Sequence, residues 1–416
     1  MNPGGTEAGG SDIRAERSDA GAEQPGSVAQ RPDFGDRTVA QGLIRAIRRD
    51  VEALGRPVTL MEVCGTHTVA ISRSGIRDLL SGYVDLRSGP GCPVCVTDQS
   101  DIDRMTAMAR LPRTTVLTYG DMLRVPGDLG TLEQARAAGA DVRVLYSALD
   151  GVALAAAQPE RRFVFLGVGF ETTAPGAALA VREAARLGLR NFLVFSAHKT
   201  LPPALRVLLE PARSAAGEEA ERRAKVEGFI LPGHVSAVIG RRVYDFIADD
   251  YGVPGAISGF EPTDILLAVR DLVGAVRSGR IAVRNLYPRV VREEGNPKAR
   301  EVIAEVFEPA DTTWRGLGLI PGSGLGLRSP YHSFDANRVL GDELELEDEP
   351  RAAVSPGDAR RRACRCGAVL RGEIVPPQCP LFAKVCIPAD PAGPCMVSSE
   401  GSCAAYYRYE SRRWTS

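Results

Sequence analysis

The sequence has no cysteine between Cys95 and Cys364, few aromatic residues (6%) and only 4 histidines. No charge of either sign is in excess: 51 Lys and Arg stand against 52 Asp and Glu, a net charge of −1. That balance argues against nucleic acid or an anionic membrane as a partner. The longest apolar runs, such as Phe163 to Val168, fall far short of the about 20 residues of a membrane-spanning helix. No Gly-x4-Gly-Lys-Ser/Thr phosphate loop occurs. The start of the chain is polar and Gly-rich, without an apolar signal core, so a cytoplasmic location is the expectation.

What is present is an ordinary globular composition, 44% hydrophobic over 416 residues, with room for two or three domains. Residues 1–36 have almost no large apolar side chains and read as a disordered tail. A first helix is expected over Thr38–Leu54, where Leu43, Ile44, Ile47 and Val51 recur at helical spacing. Apolar β-type runs then alternate with Gly-containing turns and helical stretches. The runs are Val58–Val63, Thr115–Thr118, Val142–Tyr146, Phe163–Val168, Phe192–Phe195, Phe229–Leu231 and Ala256–Ile257. Continuous apolar strands between helices indicate parallel sheets covered on both faces. The expected fold is α/β: two parallel-sheet domains in tandem, over 37–155 and 156–340. A linker at 341–362 then leads to a small cysteine-rich segment at 363–416. A closed eight-stranded barrel is the rival architecture.

The unusual polar groups follow strand ends: Cys64, Thr66 and His67; Asp121; Glu171, Thr172 and Thr173; His198 and Lys199; His234 and Ser236; Glu261 and Asp264. Ligands of open α/β sheets bind beyond the carboxyl ends of the strands, so these groups are expected to share one cleft. The plainer reading of each is a cap for the next helix.

The cysteines fall into two groups. Cys64 sits where a buried strand meets a turn, and a helix N-terminus beyond it would favour the metal-binding thiolate. The plainer reading is an inert core cysteine. His67 is placed to co-ligate, to orient a ligand or to move a proton. Gly89-Pro90-Gly91-Cys92-Pro93-Val94-Cys95 holds a Cys-x-x-Cys pair suited to dithiol–disulfide cycling, on a turn expected to be exposed. Half of a zinc site is the competing use. Cys364, Cys366, Cys379, Cys386, Cys395 and Cys403 crowd the end of the chain. Their loose spacing suits an iron–sulfur cluster better than a zinc staple, and disulfides are disfavoured in a reducing compartment.

Taken together, Glu62-Val63-Cys64-Gly65-Thr66-His67-Thr68, Gly89 to Cys95, Gly169 to Pro175, Gly233-His234-Val235-Ser236 and the stretch from Gly393 to Tyr407 resemble the HypD family, in the family's order, over roughly residues 38–410. The resemblance implies two α/β domains and a C-terminal segment binding a [4Fe–4S] cluster. It implies a maturation factor that pairs with the small chaperone HypC and holds an iron while two cyanides and one carbon monoxide are attached. HypE, served by HypF, would deliver the cyanide for this centre of [NiFe] hydrogenases. Carried over, Cys64 matches the iron-holding cysteine, and Cys92 and Cys95 match a redox pair. Cys364, Cys379, Cys386 and Cys403 meet the cluster pattern Cys-x14-Cys-x6-Cys-x16-Cys, with Cys366 a rival to Cys364 and Cys395 left over. His67 and Glu171 enter as a proton carrier and as a group that orients backbone or assists HypC. A stand-alone iron–sulfur thiol–disulfide oxidoreductase and a zinc-stapled binding module are the alternatives.

Overall fold

The computed structural model describes residues 37–214, 226–344 and 356–410. The expected tail at 1–36 lies outside the described residues, as do the middle of the expected linker (345–355) and residues 411–416. The first helix, Arg37–Leu54, buries Leu43, Ile44, Ile47 and Val51, the stripe its periodicity marks.

Nine strands form two open parallel sheets. The first contains β1 (Val58–Glu62), β2 (Val84–Ser88), β7 (Gly228–Pro232), β8 (Gly255–Ser258) and β9 (Val283–Asn285), in the order β2-β1-β7-β8-β9. The second contains β3 (Thr114–Thr118), β4 (Asp141–Val144), β5 (Arg162–Gly167) and β6 (Phe192–Ser196), in the order β4-β3-β5-β6. Every pairing within these two sheets is parallel. A separate antiparallel hairpin joins β10 (Phe307–Trp314) to β11 (Gly318–Leu327).

The α/β class with parallel sheets stands; the tandem order does not. The second sheet is nested inside the first, because β7 returns to pair with β1, Leu60 opposite Gly228. A boundary at 155/156 would cut between β4 and β5, which belong to one sheet. Both sheets are open, so the barrel is excluded.

The helices cover the sheets through their apolar faces. Pro262–Ser278 buries Ile265, Leu266, Val269, Leu272 and Val273 and packs on the first helix and the first sheet. The Ala-rich helices Ala148–Ala157 and Ala174–Arg186 pack closely together and onto Phe163, Phe165 and Phe192. Each fully buried Phe or Leu contributes about 1.5–3 kcal/mol.

Both sheets reverse winding direction once, which opens a crevice at the carboxyl strand ends. In the first sheet it lies between β1 and β7, flanked by Cys64 and His234. In the second it lies between β3 and β5, flanked by Asp121 and Glu171.

Candidate functional site

Cys64 leaves β1 in extended conformation and is the N-cap of the helix Gly65–Ser74. Its backbone N–H donates to Glu62 Oε2 at 3.0 Å, and the Thr68 hydroxyl donates both to Glu62 Oε1 and to Cys64 O. The Cys64 side chain makes no capping hydrogen bond, but the nearby His67 and Thr66 backbone N–H groups favour its thiolate, as expected of a helix start. Burial outweighs them and pushes the thiol up to about 12, so the free side chain is a protonated thiol and not the expected thiolate. A bound cation would reverse that balance.

The Cys-x-x-Cys pair lies directly beside this loop. Gly65 N–H donates to Gly91 O at 2.8 Å, and Gly89 N–H donates to Glu62 O at 2.7 Å. A Cβ on Gly91 would stand 2.1 Å from Cys64 N, so only glycine allows the two backbones to meet. Gly89, Pro90 and Gly91 are buried, which corrects the expectation of an exposed turn. The turn is covered because it is pressed against the Cys64 backbone. Cys92 and Cys95 form a disulfide across the first turn of the short helix Pro93–Val96.

The tail closes over the same place. Glu400 Oε1 accepts from the Thr66 hydroxyl at 2.7 Å, and a Cβ on Gly65 would meet the Glu400 side chain. Helix Pro394–Val397, carrying Cys395, packs on helix Pro93–Val96. Cys92, Cys95, Cys366 and Cys395 belong to one apolar core, with Cys364 and Cys403 packed against it. Cys379, Cys386 and Cys403 line a neighbouring core with Phe382, Met396 and Tyr406.

The two cysteines that the sequence reading left over meet each other: Cys366 Sγ and Cys395 Sγ are 3.0 Å apart. Their only signal in the sequence was that a four-cysteine pattern did not need them. The remaining four also gather. Burial, then Cys366, Cys364, Cys386 and Cys379, push the Cys403 thiol well up, and burial, with Cys364 and Cys379 adding, raises Cys386.

Among the described residues, no three His, Cys, Asp or Glu side chains are arranged to hold one metal ion. A cubane asks for a different arrangement, with each thiolate on its own iron. The surroundings of Cys364, Cys379, Cys386 and Cys403 fit that group. Ala392 N–H donates to Cys386 Sγ at 3.3 Å, and a Cβ on Gly393 would stand 2.8 Å from Cys364 Sγ.

The other strand-end groups divide. His67 is wholly buried, with Nε2 2.8 Å from the Gly259 carbonyl; that acceptor places the proton on Nε2 and leaves Nδ1 without a partner. Burial pushes it down to about 4, so it is neutral at pH 7. Phe260 packs between its ring and that of exposed His234. Glu171 is buried; Oε1 accepts from Leu201 N–H at 2.9 Å, Oε2 has no partner, and burial raises the acid to about 7. Buried Tyr244, which the sequence reading missed, accepts from the Ser236 hydroxyl; burial raises its phenol, and ionisation of Glu171 or Cys64 would raise it further. Asp121 Oδ2 accepts from the Ser398 hydroxyl and the Ser399 N–H, each at 3.0 Å.

Thr173 and Ser236 donate to nearby carbonyls and cap no helix: Thr173 stands at an N-cap without a side-chain cap bond, and Ser236 lies inside the helix Gly233–Ile239. Asp264 pairs with Arg289. Lys199 is fully buried but turns away, donating to Thr312 Oγ1 and Thr313 O of the hairpin, while His198 packs on Phe307. The single shared cleft therefore holds only in part.

Two open α/β sheets joined by a buried disulfide segment, with a strand-end thiol beside it and a cysteine-rich tail above, define a multi-thiol protein of the doubly wound class. The family model described as HypD, hydrogenase formation hypA family, matches residues 38–410. The chain is 44% identical over 386 residues to hydrogenase maturation factor HypD of Rhodobacter capsulatus, covering 92% of this chain and 98% of that one. It is 43% identical over 359 residues to the Escherichia coli K12 protein of the same name, covering 86% and 90%. The chain belongs to the HypD family of hydrogenase maturation factors. Among the described residues, no helix is long and apolar enough to cross a membrane.

Proposed function

We propose that the chain is the scaffold and redox centre on which, together with HypC, the Fe(CN)2CO unit of a [NiFe] hydrogenase is assembled, with HypE supplying cyanide. The observation that carries this reading is the contact of the Cys64 and Gly91 backbones, which sets a strand-end thiol against a disulfide. Iron is the cargo here, and soft thiolate from Cys64 suits it.

When bound, a [4Fe–4S] cluster on Cys364, Cys379, Cys386 and Cys403 supplies single electrons. The chain's own residues do the rest. Cys366 and Cys395 act as an intermediate dithiol and pass two electrons and two protons to Cys92–Cys95 by thiol–disulfide exchange. Glu62 and Thr68 fix the Cys64 backbone, and the tail, through Glu400, keeps water from the thiol. Neutral His67 and buried Glu62, whose carboxyl burial raises to about 7, are groups close to Cys64 able to hold or release a proton, and Glu171 is a further one in the second crevice.

The stand-alone oxidoreductase explains both pairs but leaves Cys64 idle. Anaerobic copurification with HypC, followed by infrared spectroscopy and iron analysis, tests the proposal. The wild type is expected to show cyanide and carbon monoxide bands, with cluster iron in addition. Cys64→Ala is expected to lose the bands and keep the cluster; bands that persist in it would overturn the assignment.

A further inference from the structure

The β10–β11 hairpin lies outside every motif considered so far, yet its tip touches both cysteine pairs' supports. On one side, Arg315 N–H donates to Val96 O at 2.8 Å, one residue after Cys95, and Trp314 forms a bridge with Thr97. The Arg315 guanidinium donates to Thr97 O at 2.9 Å and to Gln99 Oε1 at 3.1 Å. On the other side, Gly316 lies backbone to backbone against Gly367, the residue after Cys366, and its carbonyl accepts from Arg371. A Cβ on Gly316 would stand 2.3 Å from Gly367 Cα, and Gly316 has φ +80°.

The hairpin itself is held from the second sheet. Lys199 donates to Thr312 and Thr313, Thr200 N–H donates to Ser323 O, and Phe170 stacks on Trp314. The tip is therefore a fixed object, and the positive charge of Arg315 bears on Cys364, Cys366 and Cys395.

We propose that the Trp314-Arg315-Gly316 tip is the positioning element for electron passage between the two buried cysteine pairs. Its backbone sets their spacing, and its Arg315 cation stabilises the anionic sulfur of the exchange. This rests on the reading that Cys366/Cys395 and Cys92/Cys95 exchange electrons. In that exchange a tail thiolate attacks the Cys92–Cys95 bond and forms a mixed disulfide. The second tail thiol then displaces it. The Cys92–Cys95 bond breaks, a Cys366–Cys395 bond forms, and the two protons of the tail thiols end on Cys92 and Cys95. Negative charge spreads over the sulfurs during the attack, and in a water-poor site a fixed cation is the available counter-charge.

The test uses the full chain, purified anaerobically and oxidised at both pairs. One equivalent of dithiol reductant is added, samples are quenched with an alkylating agent over time, and each pair is read by peptide mass spectrometry. Wild-type protein is expected to show reducing equivalents moving from one pair to the other. Arg315→Gln is expected to slow that movement roughly tenfold, a factor reasonable for losing one charge-assisted contact. Arg315→Lys is expected to restore most of the rate, which a purely structural loss would not do. Gly316→Ala is expected to slow exchange even though Arg315 is intact. If Arg315→Gln exchanges at the wild-type rate, or if Lys rescues no better than Gln, the inference is overturned. If the wild type itself shows no exchange, the proposed electron route fails, a different result from either.

Discussion

The two crevices arise from the same winding rule and are put to different use. The first holds a thiol with the buried Glu62 carboxyl bound to its backbone, a neutral histidine and the close approach of Cys64 to Gly91. The second holds two carboxylates: Asp121 spends its oxygen on the tail's Ser398 and Ser399, and Glu171 on the Leu201 backbone. The tail is bound differently at each. Near the first sheet, Glu410 receives Ser72 at 2.7 Å and Arg77 at 3.1 Å, all buried, with the Arg77 guanidinium 4.5 Å above the Tyr406 ring. Near the second, the anchor is a set of hydrogen bonds to one oxygen at the surface. A crevice that nested topology provides is thus an opportunity, and the side chains at the strand ends decide whether it serves chemistry or fastening.

The largest expected effect comes from Arg77→Ala, which strands Glu410 as an uncompensated buried charge. It should cost about 3–5 kcal/mol in chemical denaturation and expose the tail cysteines to alkylation. A loss no larger than that of the second anchor would break the comparison.

Next is the pH dependence of the second crevice. Burial raises Glu171 from 4.5 to about 7, so the folded chain holds that proton more tightly than the unfolded one. Its contribution is fully present below about pH 4.5 and is lost as pH rises through about 7. Denaturation midpoints of wild type and Glu171→Gln at pH 5 and pH 8 should differ, the wild type losing about 1–3 kcal/mol more between them. Equal losses would show that Glu171 stays solvated.

Asp121→Ala should cost about 1–2 kcal/mol, the range for hydrogen bonds to a charged acceptor near the surface. It should leave iron content unchanged. The smallest effect is expected from His234→Ala. Its exposed ring stacks on Phe260 with centroids 4.0 Å apart, a contact that contributes about 0.5–1.5 kcal/mol.

Much of the fold was legible because buried parallel strands are written as unbroken apolar runs, and Val58–Glu62 or Phe163–Gly167 announce themselves. The missed strands do not. In Val84-Asp85-Leu86-Arg87-Ser88 polar residues alternate, and β9 has three residues, Val-Arg-Asn. The hairpin carries Pro and Asp in one strand and Gly at alternate positions in the other, features that local reasoning assigns to loops. Nesting was invisible because nothing in Leu60 or Gly228 names its partner across so much sequence. Strand-end placement of Cys64, His67 and Glu171 was legible from the strand–turn pattern. The Cys366–Cys395 contact was not, since it depends on how an irregular tail folds around its sulfurs. The burial of Gly89-Pro90-Gly91 was missed because a turn signal describes backbone shape and says nothing about what covers it.

The nested order has a mechanical side. Among the described residues the chain passes outward from the first sheet to the second once, from Ser88 through the helix Gln99–Arg110, and Cys92–Cys95 lies on that piece. A disulfide there is also a splice in the cord that ties the two sheets: opened, it lengthens the slack between them; closed, it takes that slack in. Pulling the sheets apart in a single-molecule force measurement should therefore register the oxidation state of the pair as a change in contour length, with no spectroscopic label on any sulfur.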